Sequence, residues 1–161
     1  MSTLSAIRIA CEPAIRRVLH FYWRFSRGAT LGTRAVVINA QQRIFLVRHS
    51  YVSGWHLPGG GVETGESMMD ALVRELREEG HIELTAPPVL HGIFHNAGVS
   101  RRDYVAVYVV RDFRQDSRPQ PNYEIVETGF FARDALPEGT SKGTYARLAE
   151  IFDGAPVSPR W

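Results

Sequence analysis

Three carboxylates on one short stretch, Glu75, Glu78 and Glu79, follow a run of glycines at Gly59-Gly60-Gly61 and a loop carrying Glu66. Read at about 100° per residue, a helix over 67–79 gathers the three within an arc of about 100° beside Ala71, while Met69, Leu72, Val73 and Leu76 form an apolar stripe. Like charges one turn apart repel by a few tenths of a kcal/mol per pair, so the arrangement costs stability unless a cation neutralises it. Oxygen-only ligands of this kind suit a hard divalent ion, Mg²⁺ or Mn²⁺. Glycines let a backbone carbonyl or amide approach a metal or a phosphate closely. No Gly-Lys-Ser/Thr follows them and the third glycine has the wrong spacing for a dinucleotide fingerprint, so this is neither a Walker loop nor a Rossmann turn. What remains is metal-assisted attack of water on phosphorus. The plain alternative is a solvated acidic helix.

The elements that must position these groups can be placed coarsely. Ser67 with Asp70 three residues on has the form of a capping box and starts the helix. Arg34 to Asn39 and Arg43 to His49 are apolar, and the Gln41-Gln42 pair between them predicts a hairpin. Further strands are expected at Val89 to His95, Tyr104 to Arg111 and Ile125 to Phe131, with a polar loop from Asp112 to Asn122 and a closing helix from Thr144 to Phe152. Strands interrupted by one central helix indicate an α+β fold, a mixed sheet-and-helix sandwich. Ala14 to Arg27, opened by Pro13 and closed by Gly28, reads as an extra N-terminal amphipathic helix. The resulting division is an extension over 1–30, a catalytic domain over 31–154 and a tail over 155–161.

Gly60, five residues, Glu66, seven residues, then Arg74-Glu75-Leu76, one residue, and Glu78-Glu79 resembles the Nudix box, and Trp55-His56-Leu57-Pro58 before it is similar to the approach common in that family. The resemblance implies that the Gly60 carbonyl with Glu75, Glu78 and Glu79 coordinates the divalent metals. It also implies that Arg74 holds Glu75 by a salt bridge and that Glu66 braces the loop or reaches a metal through water. It further implies hydrolysis of a nucleoside diphosphate linked to another moiety, with Glu75 or an acid on a later loop as general base. Glu124 and Glu127 are the candidates for that later position, and Glu124 is carried forward as a catalytic residue beside Glu75. Arg48, Trp55 and Glu127 are candidate substrate contacts, although packing beneath the loop is the favoured reading of Trp55 and an ordinary edge charge suits Arg48 equally. A nucleotide-binding or regulatory module on the same fold is the competing reading. The family's proline and tyrosine substrate markers beyond the box are absent, since Asn96-Ala97-Gly98-Val99 occupies that region, so the substrate stays open. Where the family usually has glycine after the box helix, this chain has His81, with Gly80 one position early; Gly80 is expected to supply the left-handed stop.

Composition bounds the rest. The chain has 161 residues, 19 Lys+Arg against 17 Asp+Glu, and one Cys, which excludes an intrachain disulfide and a cysteine-based zinc site. A formal charge of +2 hides a local −4 over residues 60–82 and a local +5 over residues 1–34. Arg8, Glu12, Arg16 and Arg17 break the N-terminal stretch where a signal or membrane span needs continuity, so a cytoplasmic, unprocessed chain is expected. The basic aromatic helix suits packing on the domain or on a homodimer partner, with membrane-surface contact as the next reading. No nucleic-acid recognition module is visible.

Overall fold

The computed structural model describes Arg17, Leu19, Tyr22 and residues 28–161. The expected N-terminal extension therefore lies outside the described residues apart from those three and 28–30. Seven strands and two helices follow in the order β1 (Thr30–Val37), β2 (Ile44–His49), α1 (Met68–Gly80), β3 (Ile82–Leu84), β4 (Val89–His95), β5 (Asp103–Val110), β6 (Phe113–Gln115), β7 (Ile125–Phe131) and α2 (Lys142–Asp153). A short 3₁₀ turn at Arg133–Ala135 precedes α2.

The central strands are apolar on both faces, and the alternation divides them between two cores. Ala35, Val37, Phe45, Val47, Ala106, Tyr108 and Val110 face one side, where Leu72 and Leu76 of α1 close the cluster. Val36, Ile38, Ile44, Leu46, Val105 and Val107 face the other with Phe94, Trp55, Leu57 and Leu148 of α2. Strands buried on both sides need a helix over each, which makes three layers with the box helix on one face. β1 pairs in parallel with β5 from Thr30↔Asp103 to Val37↔Val110, and β4 adds to β5 antiparallel. β2 pairs antiparallel with β7, and β3 with β6.

The predicted hairpin forms its turn and nothing more. Asn39 and Arg43 close the turn, and Gln42 adopts φ 57°. Pairing then stops at one Ile38↔Ile44 bridge, because residues 55–61 take the edges the two strands would offer each other. The Thr33 and Ala35 amides donate to the Gly60 and Pro58 carbonyls, each at 2.9 Å, and Val47 pairs with His56. The loop expected at Asp112 to Asn122 contains β6, held to β3 by an Arg114–Glu83 ion pair at 2.6 Å. The segment expected as a tail packs on the domain: the His95 amide donates to Pro159 and the Trp161 amide to His95. Among the described residues no helix is long and apolar enough to cross a membrane.

Helix α1 starts as expected, with Ser67 Oγ accepting from the Asp70 amide and Asp70 Oδ2 from the Ser67 amide, both at 3.1 Å. Its end corrects the expectation that Gly80 takes the left-handed turn. Gly80 is the last helical residue, and His81 itself occupies the left-handed region at φ 50°, ψ 35°, with Nδ1 2.9 Å from Ser117 Oγ. Glycine is needed at 80 for space, since a Cβ there would lie 2.8 Å from Ile82 Cδ1 and 3.1 Å from Phe45 Cε1. Gly80→Ala should therefore destabilise the protein by about 1–3 kcal/mol through overpacking. His81→Gly should be neutral or stabilising by up to about 1 kcal/mol, because it relieves a left-handed non-glycine residue. Urea denaturation of both variants checks the pair; the reverse order would restore Gly80 as the stop.

Candidate active site

The glycine loop is drawn taut along β1 and α1 is laid against it. Gly59 has φ +133°, and a Cβ on it would strike the Thr33 carbonyl and come within 2.9 Å of Arg34 Cα. At Gly60 the constraint is close approach, because a Cβ would collide with the Glu75 carboxylate. The second lone pair of the Gly60 carbonyl is left after it accepts from Thr33.

The three box carboxylates have three different environments. Glu79 is 5% exposed and receives the Gly59 amide on Oε2 at 2.7 Å, with His49 Nε2 3.2 Å from Oε1. Burial pushes its pKa up to about 8 against the opposing pull of the Arg34 charge and the Gly59 hydrogen bond. Burial also lowers His49, so the 3.2 Å approach joins two groups that both resist ionisation and is not a salt bridge. Glu75 is half-buried and raised by desolvation, while Arg74 Nη1 at 2.7 Å opposes the shift. Glu78, 61% exposed, lies outside the cleft 3.5 Å from Arg74. The buried arc of α1 thus runs through Ala71, Leu72, Leu76 and Glu79, turned toward the acids from the predicted stripe and leaving Val73 half-buried.

Arg74 ties the box together. Nε and Nη2 donate to the two oxygens of Glu66 at 2.8 and 3.1 Å, and Nη2 also donates to the Gly61 carbonyl at 3.0 Å. These bonds, together with the backbone contact at Glu63, hold Glu66 well below the usual carboxylate range, at about 2, and raise Arg74.

A cleft of about 690 Å³ opens over the loop, lined by Gly60, Glu75, Glu79 and Glu124 among others. Glu124 accepts from Tyr51 Oη at 3.1 Å. Arg48, Trp55 and Glu127 are placed elsewhere. Trp55 is 7% exposed, edge-on to Phe131 in the second core, and Arg48 and Glu127 pair with each other at 2.8 Å on the exposed flank of β2 and β7. Two residues, one lining the cleft and one buried behind Glu79, were not paired with the site by the sequence. Arg34 donates from Nη1 to the Leu57 carbonyl at 3.1 Å and to that of Gly59, placing the guanidinium under the carboxylates. The signal available was a lone arginine between apolar β1 residues. His49 is the other, and nothing in its sequence setting pairs it with Glu79.

Among the described residues no three His, Cys, Asp or Glu side chains already form a cation cage. The donor set nevertheless fits one: Glu75 nests where a Gly60 side chain would sit, and Glu79 is desolvated at a cost that a hard cation would offset. Glu75, Glu79 and the Gly60 carbonyl are the oxygen donors that the fold brings to one place.

The family model for the NUDIX domain matches residues 29–152, and the chain belongs to that family. A MutT NUDIX hydrolase from Burkholderia pseudomallei superposes with TM-score 0.65 at 25% identity, over 77% of this chain and 98% of that one. The RNA pyrophosphohydrolase of Ruthia magnifica is 41% identical over 54 residues, 34% of this chain and 30% of its own length. Human diphosphoinositol polyphosphate phosphohydrolase 2 is 33% identical over 97 residues, covering 60% and 53%. The chain spans about a third to a half of the length of such curated relatives. Members of the family generally use divalent metals.

A raised Glu79 has a thermodynamic consequence. The folded state binds that proton more tightly than the unfolded chain, so stability is fully present below about 4.5 and falls as pH rises toward about 8. Metal-free protein should show this slope in urea titrations. Glu79→Gln should flatten it, and so should saturating Mn²⁺ on the wild type; an unchanged slope in the variant would place the titration elsewhere.

Proposed function

We propose that the chain is a divalent-metal-dependent hydrolase that cleaves the pyrophosphate bond of a nucleoside diphosphate linked to another moiety. The observation that carries this reading is the pair Glu75 and Glu79, desolvated against the glycine loop in the wall of one cleft with Glu124. The activities for which the relatives are named, an RNA pyrophosphohydrolase and a diphosphoinositol polyphosphate phosphohydrolase, support it. Glu75, Glu79 and the Gly60 carbonyl would hold Mg²⁺ or Mn²⁺, and Glu78, exposed outside the cleft, would have to turn inward to join them. When bound, the cation would neutralise the polyphosphate and polarise the phosphoryl group whose phosphorus is attacked.

The chain's own groups divide the remaining work. Arg74 and Glu66 lock the helix to the loop, so the Glu75 carboxylate keeps its place beside Gly60. Arg34, the guanidinium lining the cleft, attracts the anionic substrate to the glycine end. Glu124 takes the proton of the attacking water: Glu75 is already engaged by Arg74, whereas among the described residues the Glu124 carboxylate accepts from the Tyr51 hydroxyl. The product is released as two phosphorylated fragments.

A panel of nucleoside triphosphates, nucleotide sugars, ADP-ribose, NADH and dinucleoside polyphosphates, with Mg²⁺ or Mn²⁺, tests the reading through release of nucleotide or phosphate. Glu79→Gln should lower kcat by at least about 100-fold with the fold intact. Glu124→Gln should lower kcat by about 10²–10⁴-fold while leaving Mn²⁺ affinity unchanged. Near-wild-type turnover in Glu79→Gln would remove the site assignment, and no metal-dependent release from any compound would leave a binding module.

A further inference from the structure

Trp161 belongs to two places at once. It packs against the second core, edge-on to Phe94 at 6.2 Å, and it lines the same cleft as Glu75 and Glu79. The residues around it are organised to hold it there. Gly143, the second residue of α2, leaves room for the indole, since a Cβ would lie 2.5 Å from Nε1 and 2.6 Å from Cε2. The backbone before it is strapped to β4 through His95.

The strap is also clamped from beneath. Arg147, 0% exposed, donates from Nη1 to the Arg160 carbonyl at 3.2 Å and from Nη2 to Glu150 Oε1 at 2.5 Å. Glu150 accepts the Ser158 amide at 2.9 Å and lies 2.7 Å from His91 Nε2. The guanidinium stacks 3.7 Å from the Phe94 centroid and 5.6 Å from that of Trp161. Burying an ion pair this completely is a poor way to gain stability, so its return is a single position for the segment it grips.

The chemistry of the cleft says what the indole meets. The cleft's guanidinium, Arg34, sits at the glycine end. Trp161 shares the cleft with Leu31, Val99 and Val105, and with Asp103, whose carboxylate is tied to Thr30 Oγ1 at 2.6 Å and Asn96 Nδ2 at 2.8 Å. An acidic and apolar surface beside an indole repels phosphate and suits a flat ring. We propose that Trp161 is a specificity-determining contact for the planar nucleoside portion of the substrate, with Gly143, Arg147 and Glu150 as the positioning residues that fix its indole. The substrate clause rests on the hydrolase reading.

The test uses the full chain carrying 5-fluorotryptophan, with the Trp161 ¹⁹F resonance assigned by its loss in Trp161→Phe. AMP, dGMP and UMP are titrated separately, with inorganic pyrophosphate as the ring-free control. At least one nucleotide should shift the Trp161 resonance, and pyrophosphate should not. With a cleaved substrate, Trp161→Ala should raise KM about tenfold with kcat within about twofold, and Trp161→Phe should restore most of the affinity. Because Arg147 variants break a buried ion pair, Gly143→Ala displaces the indole instead; on protein shown folded by circular dichroism, KM should rise about threefold with kcat within about twofold, even where crowding lowers Tm. A Trp161 resonance unmoved by all three nucleotides, or an unchanged KM in Trp161→Ala, overturns the proposal. If no compound is hydrolysed the hydrolase reading fails, and the resonance still decides this one.

Discussion

The carboxylate of Glu79 is buried in a wall of backbone, where it accepts the Gly59 amide and lies 3.2 Å from the His49 ring. A charge in that position is unfavourable without compensation, and the surrounding architecture is what makes the position tolerable. Arg34 leaves the apolar register of β1 to sit under the loop. Gly59 and Gly60 have no side chains because the β1 backbone and the Glu75 carboxylate fill the space these would need. The helix must run straight through Gly80 to aim Glu79 inward, which moves the left-handed residue to His81. Even the separation of β1 from β2 follows, since the loop that donates to Glu79 lies along the edges of both.

The same arrangement gives the cleft two unlike ends. Around the glycine loop, desolvated carboxylates and Arg34 form a polar region in which a cation and a polyphosphate would neutralise one another. Around Trp161 the lining is apolar, with Asp103 held by two hydrogen bonds. Relatives that match parts of this sequence are named for different activities, from an RNA pyrophosphohydrolase to a diphosphoinositol polyphosphate phosphohydrolase. The box cannot separate such substrates. Discrimination has to come from the walls, which are built by segments distant from the box in sequence.

Much of the box was legible because its requirements are local: glycine at close approach, acids at helical spacing, Ser67 and Asp70 as a reciprocal cap. Strands β4 and β7 were legible for the same reason, as apolar runs bounded by polar residues. What was not legible is whatever depends on a distant partner. The turn at Gln41-Gln42 was visible, but the intrusion of residues 55–61 between its strands was not. β3 and β6 are three residues each and have no periodicity of their own. Glu79 is burdened by burial that a helical wheel cannot assign, and the rotation of the buried arc toward it follows from Gly59, twenty residues upstream. The docking of the tail was not legible because its anchors, Arg147 and Glu150, look like ordinary surface charges until the fold closes over them. Arg48 and Glu127 are the converse case: charges near the site in sequence that satisfy each other across β2 and β7.

The proposed cation site is the place where the fold brings Glu75, Glu79 and the Gly60 carbonyl together. Anomalous diffraction from crystals soaked in Mn²⁺ tests it most directly, because it locates the ion without reference to turnover. The account predicts a peak at coordination distance from Glu75 and Glu79, beside the Gly60 carbonyl. Manganese bound only elsewhere, at Asp103 or on the exposed flank of Glu127, with Glu79 still turned to Gly59 and His49, would contradict it.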